Sequence, residues 1–419
     1  MTVIGFAGLT HLGLCSGIAA AGQGFPTIGF DTDAALIGRL KESKLPVLEP
    51  GLDDLLKANR ERITFTASVG DLARCDLVYV APDVPTDDRG ESDLTALDGL
   101  LKQVLDAVRP DTVVVILSQV SPGFTRSRQR PDRILVYQVE TLIFGRAVER
   151  ATRPERFILG VADPARPLPA AWQAFLASFG CPILPMRFES AELAKISINC
   201  CLVASVSVAN TLAELCERIG ADWSEIAPAL RLDRRIGAYS YLSPGLGIAG
   251  GNLERDLATV DRLSTEHGTD AGVIRAFVAN SRHRKDWALR TLQENFPVAQ
   301  GRGAIAVLGL TYKEDTHSLK NSASIALIGN LGDQAVKAYD PAAPQVEFGP
   351  SFTRCADAGS ALDGAEVLLI MTPWAEFNAL KPAEIAKRLH GRLVIDPFRV
   401  LKPAEAKAAG LDHRTLGVA

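Results

Sequence analysis

Short apolar runs and helical stretches alternate along the first third of the chain. Val3–Ala7, Thr27–Phe30, Asp76–Val80, Asp111–Leu117 and Ile134–Tyr137 are short and rich in β-formers, and helix-like segments separate most of them. This alternation predicts βαβ units building a parallel sheet. From Glu189 to about Leu230 the pattern changes to apolar positions at helical spacing among Ala, Leu and Glu, and helical patterning resumes from about Leu253 to Glu294. A second βαβ series follows, with strands expected at Ala304–Leu308, Val336–Tyr339, Glu366–Met371 and Arg392–Ile395. The expected fold class is α/β. Two Rossmann-like doubly wound domains, 1–188 and 297–419, are bridged by a long helical middle segment, 189–296.

Residues 1–30 contain no Asp, Glu, Lys or Arg, so they could pass for a membrane span or signal peptide. They lack a basic leading region, and Gly5, Gly8, Gly13, Gly17, Gly22, Gly24, Pro26 and Gly29 interrupt them. A buried strand, a turn, a helix and a second buried strand fit better, and no other membrane candidate is expected. Composition adds little: 47% hydrophobic and 22% charged residues are ordinary for a globular chain. The net charge of -4 argues against the basic surface that duplex nucleic acid selects, so no nucleic-acid partner is expected. The seven cysteines form no C-x-x-C pair, which speaks against a disulfide framework or a metal site and for a cytoplasmic location.

The first strand runs into Gly8-Leu9-Thr10-His11-Leu12-Gly13. A dinucleotide fingerprint belongs there: one glycine makes the turn, one admits pyrophosphate, and one permits close helix packing. Thr10 stands at the middle glycine, so the motif is degenerate. Its context supports it, because Asp31 follows the second strand 23 residues after Gly8, close to the ~20 expected of a carboxylate that binds the NAD ribose. A carboxylate there would repel the 2′-phosphate of NADP, so NAD is the expected cofactor. From this motif alone, an ordinary Gly-rich turn remains an equal alternative.

Several further segments, in order along the chain, resemble the UDP-glucose/GDP-mannose dehydrogenase family. They are Leu48-Glu49-Pro50-Gly51-Leu52, Val84-Pro85-Thr86 leading to Gly90 and Asp93-Leu94, and Ser118-Gln119-Val120-Ser121-Pro122-Gly123. Ala191-Glu192-Leu193-Ala194-Lys195 with Asn199, Leu232-Asp233-Arg234-Arg235-Ile236-Gly237, and Tyr241-Leu242-Ser243-Pro244-Gly245 through Gly250-Gly251 to Asp256 continue the match. Val307-Leu308-Gly309-Leu310-Thr311-Tyr312-Lys313 and Tyr339-Asp340-Pro341 complete it.

The resemblance implies an NAD-binding first domain, a last domain that binds a nucleoside diphosphate, and oxidation of a sugar C6 alcohol to a carboxylate in two hydride transfers through a cysteine thioester. It implies cofactor contacts at Gly8, Thr10, His11, Leu12, Gly13, Asp31, Pro85, Thr86 and Ser118. Substrate contacts are implied at Arg235, Tyr241, Ser243, Gly245, Gly250, Lys313 and Lys320. Lys195 and Asn199 would stabilise oxygen charge and position water, Asp256 would join the same polar cluster, and Glu140 would activate water. A homodimer or larger assembly through the middle helices is also implied, with Arg235 in the stretch that reaches a neighbouring subunit's site.

The match breaks at the reaction centre. The family's loop reads G-G-S-C-F-P-K-D; aligned without a gap on Asp256, this chain reads Ala249 to Asp256 with Asn252 at the cysteine. An amide is not a usable nucleophile, so the thioester route is closed at that position. Cys200, Cys201 and Cys216 on the middle helix are better read as packing residues. The family's threonine in S-T-V-P-P-G is Gln119 here, its lysine before the final aspartate is Arg255, and the arginine of its R-E-S stretch is Lys320. The expected function is therefore NAD-dependent oxidation of the C6 hydroxymethyl of a nucleotide-sugar, UDP-sugar favoured, that forms an aldehyde or cycles a hydride. The alternatives are a full four-electron oxidation through an aldehyde hydrate, and a silent binding protein.

Overall fold

The computed structural model describes residues 2–87, 90–296 and 303–418. The chain divides into two compact units, residues 1–198 and 199–419. The expected domain start at 297 lies outside the described residues.

The first unit holds an eight-stranded sheet. Its strands are β1 (Ile4–Ala7), β2 (Thr27–Phe30), β3 (Ile63–Thr66), β4 (Leu77–Val80), β5 (Val113–Ile116), β6 (Ile134–Gln138), β7 (Phe157–Val161) and β8 (Ile183–Arg187). Their spatial order is β3-β2-β1-β4-β5-β6-β7-β8, and only the β6–β7 pairing is antiparallel. The order reverses at β1, so the crevice beyond the carboxyl ends of β1 and β4 is where such a sheet offers a ligand site. Both faces are covered by apolar side chains, Ile4 and Phe6 with Ile18 on one side and Val78 and Val80 with Leu101 on the other. Double coverage explains why the central strands read as continuous apolar runs rather than alternating ones.

The second unit repeats the plan with six parallel strands: β9 (Ala304–Leu308), β10 (Val336–Tyr339), β11 (Phe352–Arg354), β12 (Ala365–Ile370), β13 (Leu393–Ile395) and β14 (Asp412–Arg414), ordered β11-β10-β9-β12-β13-β14. All nine strands expected from the sequence exist. The structure adds β3, β7, β8, β11 and β14.

One helix, Phe188–Ile219, begins in the first unit and ends in the second. The continuous stretch expected to about Leu230 breaks at Gly220, whose φ of 78° stops the helix, and Asp222 caps a new one over Trp223–Leu232. The second helical stretch is likewise three helices, Asn252–His267, Gly272–Lys285 and Trp287–Asn295, the first ended by left-handed Gly268. The long helix corrects a further expectation, since its length and composition would let it cross a membrane. Much of its surface is nonetheless packed on protein through Ala191, Ile196, Val203, Ala209 and Ala213. Its other face exposes Leu193, Cys201, Val208, Leu212, Leu215 and Ile219.

Asp340, one residue past β10, fixes the second unit's glycine turn. Its carboxylate accepts from the amides of Leu310 (2.6 Å), Thr311 (2.9 Å), Ala342 (2.9 Å) and Ala343 (2.7 Å), from the Thr311 hydroxyl (3.1 Å) and from Trp374 Nε1 (3.1 Å). Burial pushes the carboxyl up, but the Thr311, Leu310, Ala342 and Ala343 amides outweigh it and hold it below the usual range. Asp340→Ala strands these donors and is expected to cost about 3–5 kcal/mol in a denaturation experiment. Because the folded value is depressed, the contribution of Asp340 is present above the ordinary carboxylate range and fades as pH falls through the lowered value. The deficit of the variant should therefore shrink in acid.

Candidate active site

In the first unit, Gly8 has a φ of 87°, and a Cβ there would lie 2.8 Å from the Pro82 nitrogen. A Cβ on Gly13 would lie 1.9 Å from the Gly8 carbonyl oxygen, which no repacking accommodates. These two glycines let the helix His11–Gly22 press its amino end against the turn. Thr10 is the residue just before that helix, yet it makes no side-chain cap to it. Its hydroxyl instead donates to the Ala81 carbonyl (3.4 Å) and accepts from the Asp83 amide (2.9 Å). The middle glycine's replacement thus stitches the turn to the segment after β4.

Asp31 accepts from the Leu9 amide (2.8 Å) through one oxygen and from the Asp33 amide (3.0 Å) through the other. Each carboxylate oxygen can accept again, so Asp31 retains capacity for a ribose hydroxyl. With the close-packed glycines and a helix that starts directly after the turn, the set fits a dinucleotide. His11 turns away from that end. Its Nε2 lies 2.9 Å from Glu49 Oε2, and Phe144 covers its ring at 4.2 Å between centroids. Glu49 also accepts from the amides of Gly145 (3.1 Å) and Ala147 (2.6 Å). Leu12 lines a small, partly open pocket that Glu140 also lines. Pro85 is exposed, Thr86 bridges Ser92, and the buried Ser118 hydroxyl donates to the Pro82 carbonyl.

Lys195 Nζ lies 2.9 Å from Glu140 Oε1, with both side chains mostly covered, and the other Glu140 oxygen accepts from the Leu142 amide (3.1 Å). Half-buried Gln119 opens the turn that leads to Gly123. That turn is clamped to the long helix by Glu192, whose carboxylate accepts from the Gly123 (2.6 Å) and Thr125 (2.8 Å) amides. Burial raises the Glu192 carboxyl, against the pull of those donors.

In the second unit, Asn199 donates to Asp256 Oδ2, and Arg255 Nε lies 3.3 Å from Asp256 Oδ1. All three residues are buried. Asn252 is the first residue of the helix Asn252–His267 and is exposed. A cysteine at such a helix end would be favoured as thiolate. The loop before it is held by two close approaches, since a Cβ on Gly250 would lie 2.7 Å from the Tyr312 ring and one on Gly251 would lie 3.3 Å from the Lys320 stem. Glu254 accepts from Asn321 and lies 3.8 Å from Lys285, and burial pushes its carboxyl up against that pull. Lys313 stands over the Tyr312 ring at 5.9 Å. The Gly245 amide donates to Asn210 (2.8 Å), while Tyr241 and Ser243 are exposed. Exposed Arg235 is paired with Asp233 at 2.6 Å. The second unit thus gathers Asn199, Gly250, Asp256 and Lys320 around one loop and helix start. It leaves Arg235, Tyr241 and Ser243 on the surface.

Sequence reading assigned no role to Glu49 or Glu192. Glu49 and Glu192 lie inside quoted segments, but their partners are remote backbone amides that no spacing rule exposes.

Asp31 generates a direct expectation for the cofactor. Calorimetric titration should show NAD binding more tightly than NADP, and Asp31→Ser should narrow the gap by relieving repulsion of a 2′-phosphate while losing a ribose acceptor. Equal affinities in the native chain would remove Asp31 from that role.

Three models of one family match in chain order. The NAD binding domain of the UDP-glucose/GDP-mannose dehydrogenase family matches residues 2–172, its central domain 189–282 and its UDP binding domain 306–403. A putative UDP-glucose 6-dehydrogenase of Bacillus subtilis is 29% identical, covering 96% of this chain and 97% of its own length. The UDP-glucose 6-dehydrogenase TuaD of the same organism is 28% identical over 100% of this chain and 93% of its own. A UDP-glucose dehydrogenase structure from Pyrobaculum islandicum superposes with a TM-score of 0.86 at 25% identity, covering 100% of this chain and 98% of that one. A UDP-D-ManNAc dehydrogenase from Pyrococcus horikoshii, at 22% identity and covering 99% of each chain, shares the fold with a TM-score of 0.84. With family matches in all three segments and a turn shaped for a dinucleotide, the chain belongs to the UDP-glucose/GDP-mannose dehydrogenase family and is an NAD-dependent oxidoreductase.

Proposed function

We propose that this enzyme oxidises the C6 hydroxymethyl of a nucleotide-sugar without a thioester intermediate, so that it forms an aldehyde or returns the hydride it removes. The observation that carries this reading is Asn252, exposed at the first position of its helix, where the resemblance places a cysteine. The UDP binding domain model and relatives named as UDP-glucose 6-dehydrogenases support a UDP-sugar, with UDP-glucose the first to test.

The chemistry has two demands. As C6 loses hydride, its hydroxyl proton needs an acceptor and the developing alkoxide needs a cation. NAD, when bound, supplies the hydride acceptor. Glu140 and Lys195, 2.9 Å apart and mostly covered, are suited to the proton and the charge respectively. Asn199 and Asp256 form the second polar pair and would orient the sugar oxygen and a water. The same Glu140 supports the second reading, in which water adds to the aldehyde and the hydrate gives up a second hydride.

The exposed apolar face of the long helix supports a homodimer or larger assembly, with Arg235, exposed beside its partner Asp233, in the stretch that would reach a neighbouring subunit. Seven free cysteines support a cytoplasmic location.

Lys195→Ala should lose turnover by on the order of 10²-fold or more while keeping its melting behaviour within a few degrees. Asp256 is only 1% exposed and paired with Arg255, so Asp256→Asn is the cleaner test there; it keeps the volume and should lose activity comparably. Near-native turnover in either variant would remove that residue from the site.

Intact-protein mass spectrometry with NAD and UDP-glucose is expected to show no covalent adduct, and no more than one NADH should form per sugar. Asn252→Cys should gain a partial second oxidation. Two NADH and a uronic acid from the native chain would instead establish the hydrate route.

A further inference from the structure

The turn after β5 and the segment after β6 stand side by side, because the two strands pair in parallel and Glu140 follows β6 by two residues. The first turns of the long helix touch both. Glu192 reaches the turn, where its two oxygens accept from the Gly123 amide at 2.6 Å and the Thr125 amide at 2.8 Å. Lys195, three residues on and so on the same helix face, reaches Glu140 at 2.9 Å. At the exposed rim of the same junction Arg126 pairs with Glu189.

At its other end the turn leads to the dinucleotide site. The Ser118 hydroxyl donates to the Pro82 carbonyl at 2.5 Å, and the Pro82 nitrogen is what a Cβ on Gly8 would strike, at 2.8 Å. Contacts and one short turn of chain therefore connect the glycine turn to Glu192. The residue type at 192 suits this task. Gly123 and Thr125 present two N–H donors to separate oxygens, and a carboxylate is the side chain with two acceptor atoms and no donor. Glutamine would turn an NH2 group towards one of them. Glu192 has no accessible surface, and burial pushes its carboxyl up against the pull of the amides. A contact so enclosed holds its geometry better than an exposed ion pair does.

We propose that Glu192 is a positioning residue: its carboxylate fixes the turn after β5 against the helix that carries Lys195, so the cation for the C6 oxygen is held in register with the dinucleotide turn. The assignment rests on the reading above in taking Lys195 as that cation. Hydride transfer is steeply sensitive to such register, and a misplacement of about 1 Å reduces rate by on the order of 10²-fold.

Steady-state rates with NAD and UDP-glucose, measured on the full chain, test this through Glu192→Gln. Its kcat should fall on the order of 10-fold or more, while NAD affinity by calorimetry stays near native. Placed on Lys195→Ala, the same change should lower kcat by no more than about twofold, because the group it positions is gone. Glu192→Asp keeps both acceptors at a shorter reach. It should fall between the native chain and Glu192→Gln, and it carries the same comparison if Glu192→Gln does not fold. Hydrogen exchange of the Gly123 and Thr125 amides, followed without any sugar, should accelerate in either variant. Native-like kcat in a folded Glu192→Gln would overturn the proposal. So would an equal loss with and without Lys195, which would make Glu192 a general support of the fold. A native chain that forms no NADH from UDP-glucose would instead remove the substrate reading, and unchanged exchange at Gly123 and Thr125 would then overturn the clamp by itself.

Discussion

A carboxylate at the end of the second strand, holding the backbone amide that follows the turn's glycine, is the constraint on which both sheets depend. Asp31 does this for Leu9 and Asp340 for Leu310, each in a Gly-Leu-Thr segment after the first strand of its unit. The contact joins two neighbouring strands at their carboxyl ends and so fixes the shape of the crevice at the switch point. The outcomes differ by saturation. Asp340 is 3% exposed and accepts from four amides, a hydroxyl and an indole, which leaves it a structural clamp. Asp31 accepts from two amides and keeps lone pairs directed at whatever enters.

The interior of both sheets was legible in the sequence, and the rims were not. Every expected strand lies inside its sheet's order, whereas β3, β8, β11 and β14 are the sheet edges. An edge strand buries less, so its pattern is weaker: β14 is Asp412-His413-Arg414, and β8 carries Pro185, which an edge tolerates because no second neighbour needs its missing N–H. β7 is the exception, an interior strand containing Gly160. That glycine is required because a Cβ there would lie 2.9 Å from the Tyr137 Cβ.

The site was legible to a different degree. Residues in quoted segments fall where the segments imply, because short motifs encode local turns: Gly8 and Gly13 frame the first helix, and Gly250 and Gly251 press on Tyr312 and Lys320. Glu49 and Glu192 carry no such local signature. Each acts on backbone amides far along the chain, Gly145 and Ala147 for Glu49 and Gly123 and Thr125 for Glu192, and only the fold makes those neighbours.

The lone antiparallel pairing in the first sheet has a consequence for the Glu140–Lys195 pair. Gly160 is level with Tyr137, and Arg187 at the end of β8 is level with Val161, so the chain leaves the sheet below the carboxyl end of β6. Glu140 lies two residues past the end of β6, and Lys195 lies seven residues past Phe188, about two turns into the long helix. The reversed strands β7 and β8 return the chain to the level of Val136 before that helix begins, so a residue in its second turn can meet one just past β6, and Lys195 Nζ lies 2.9 Å from Glu140 Oε1.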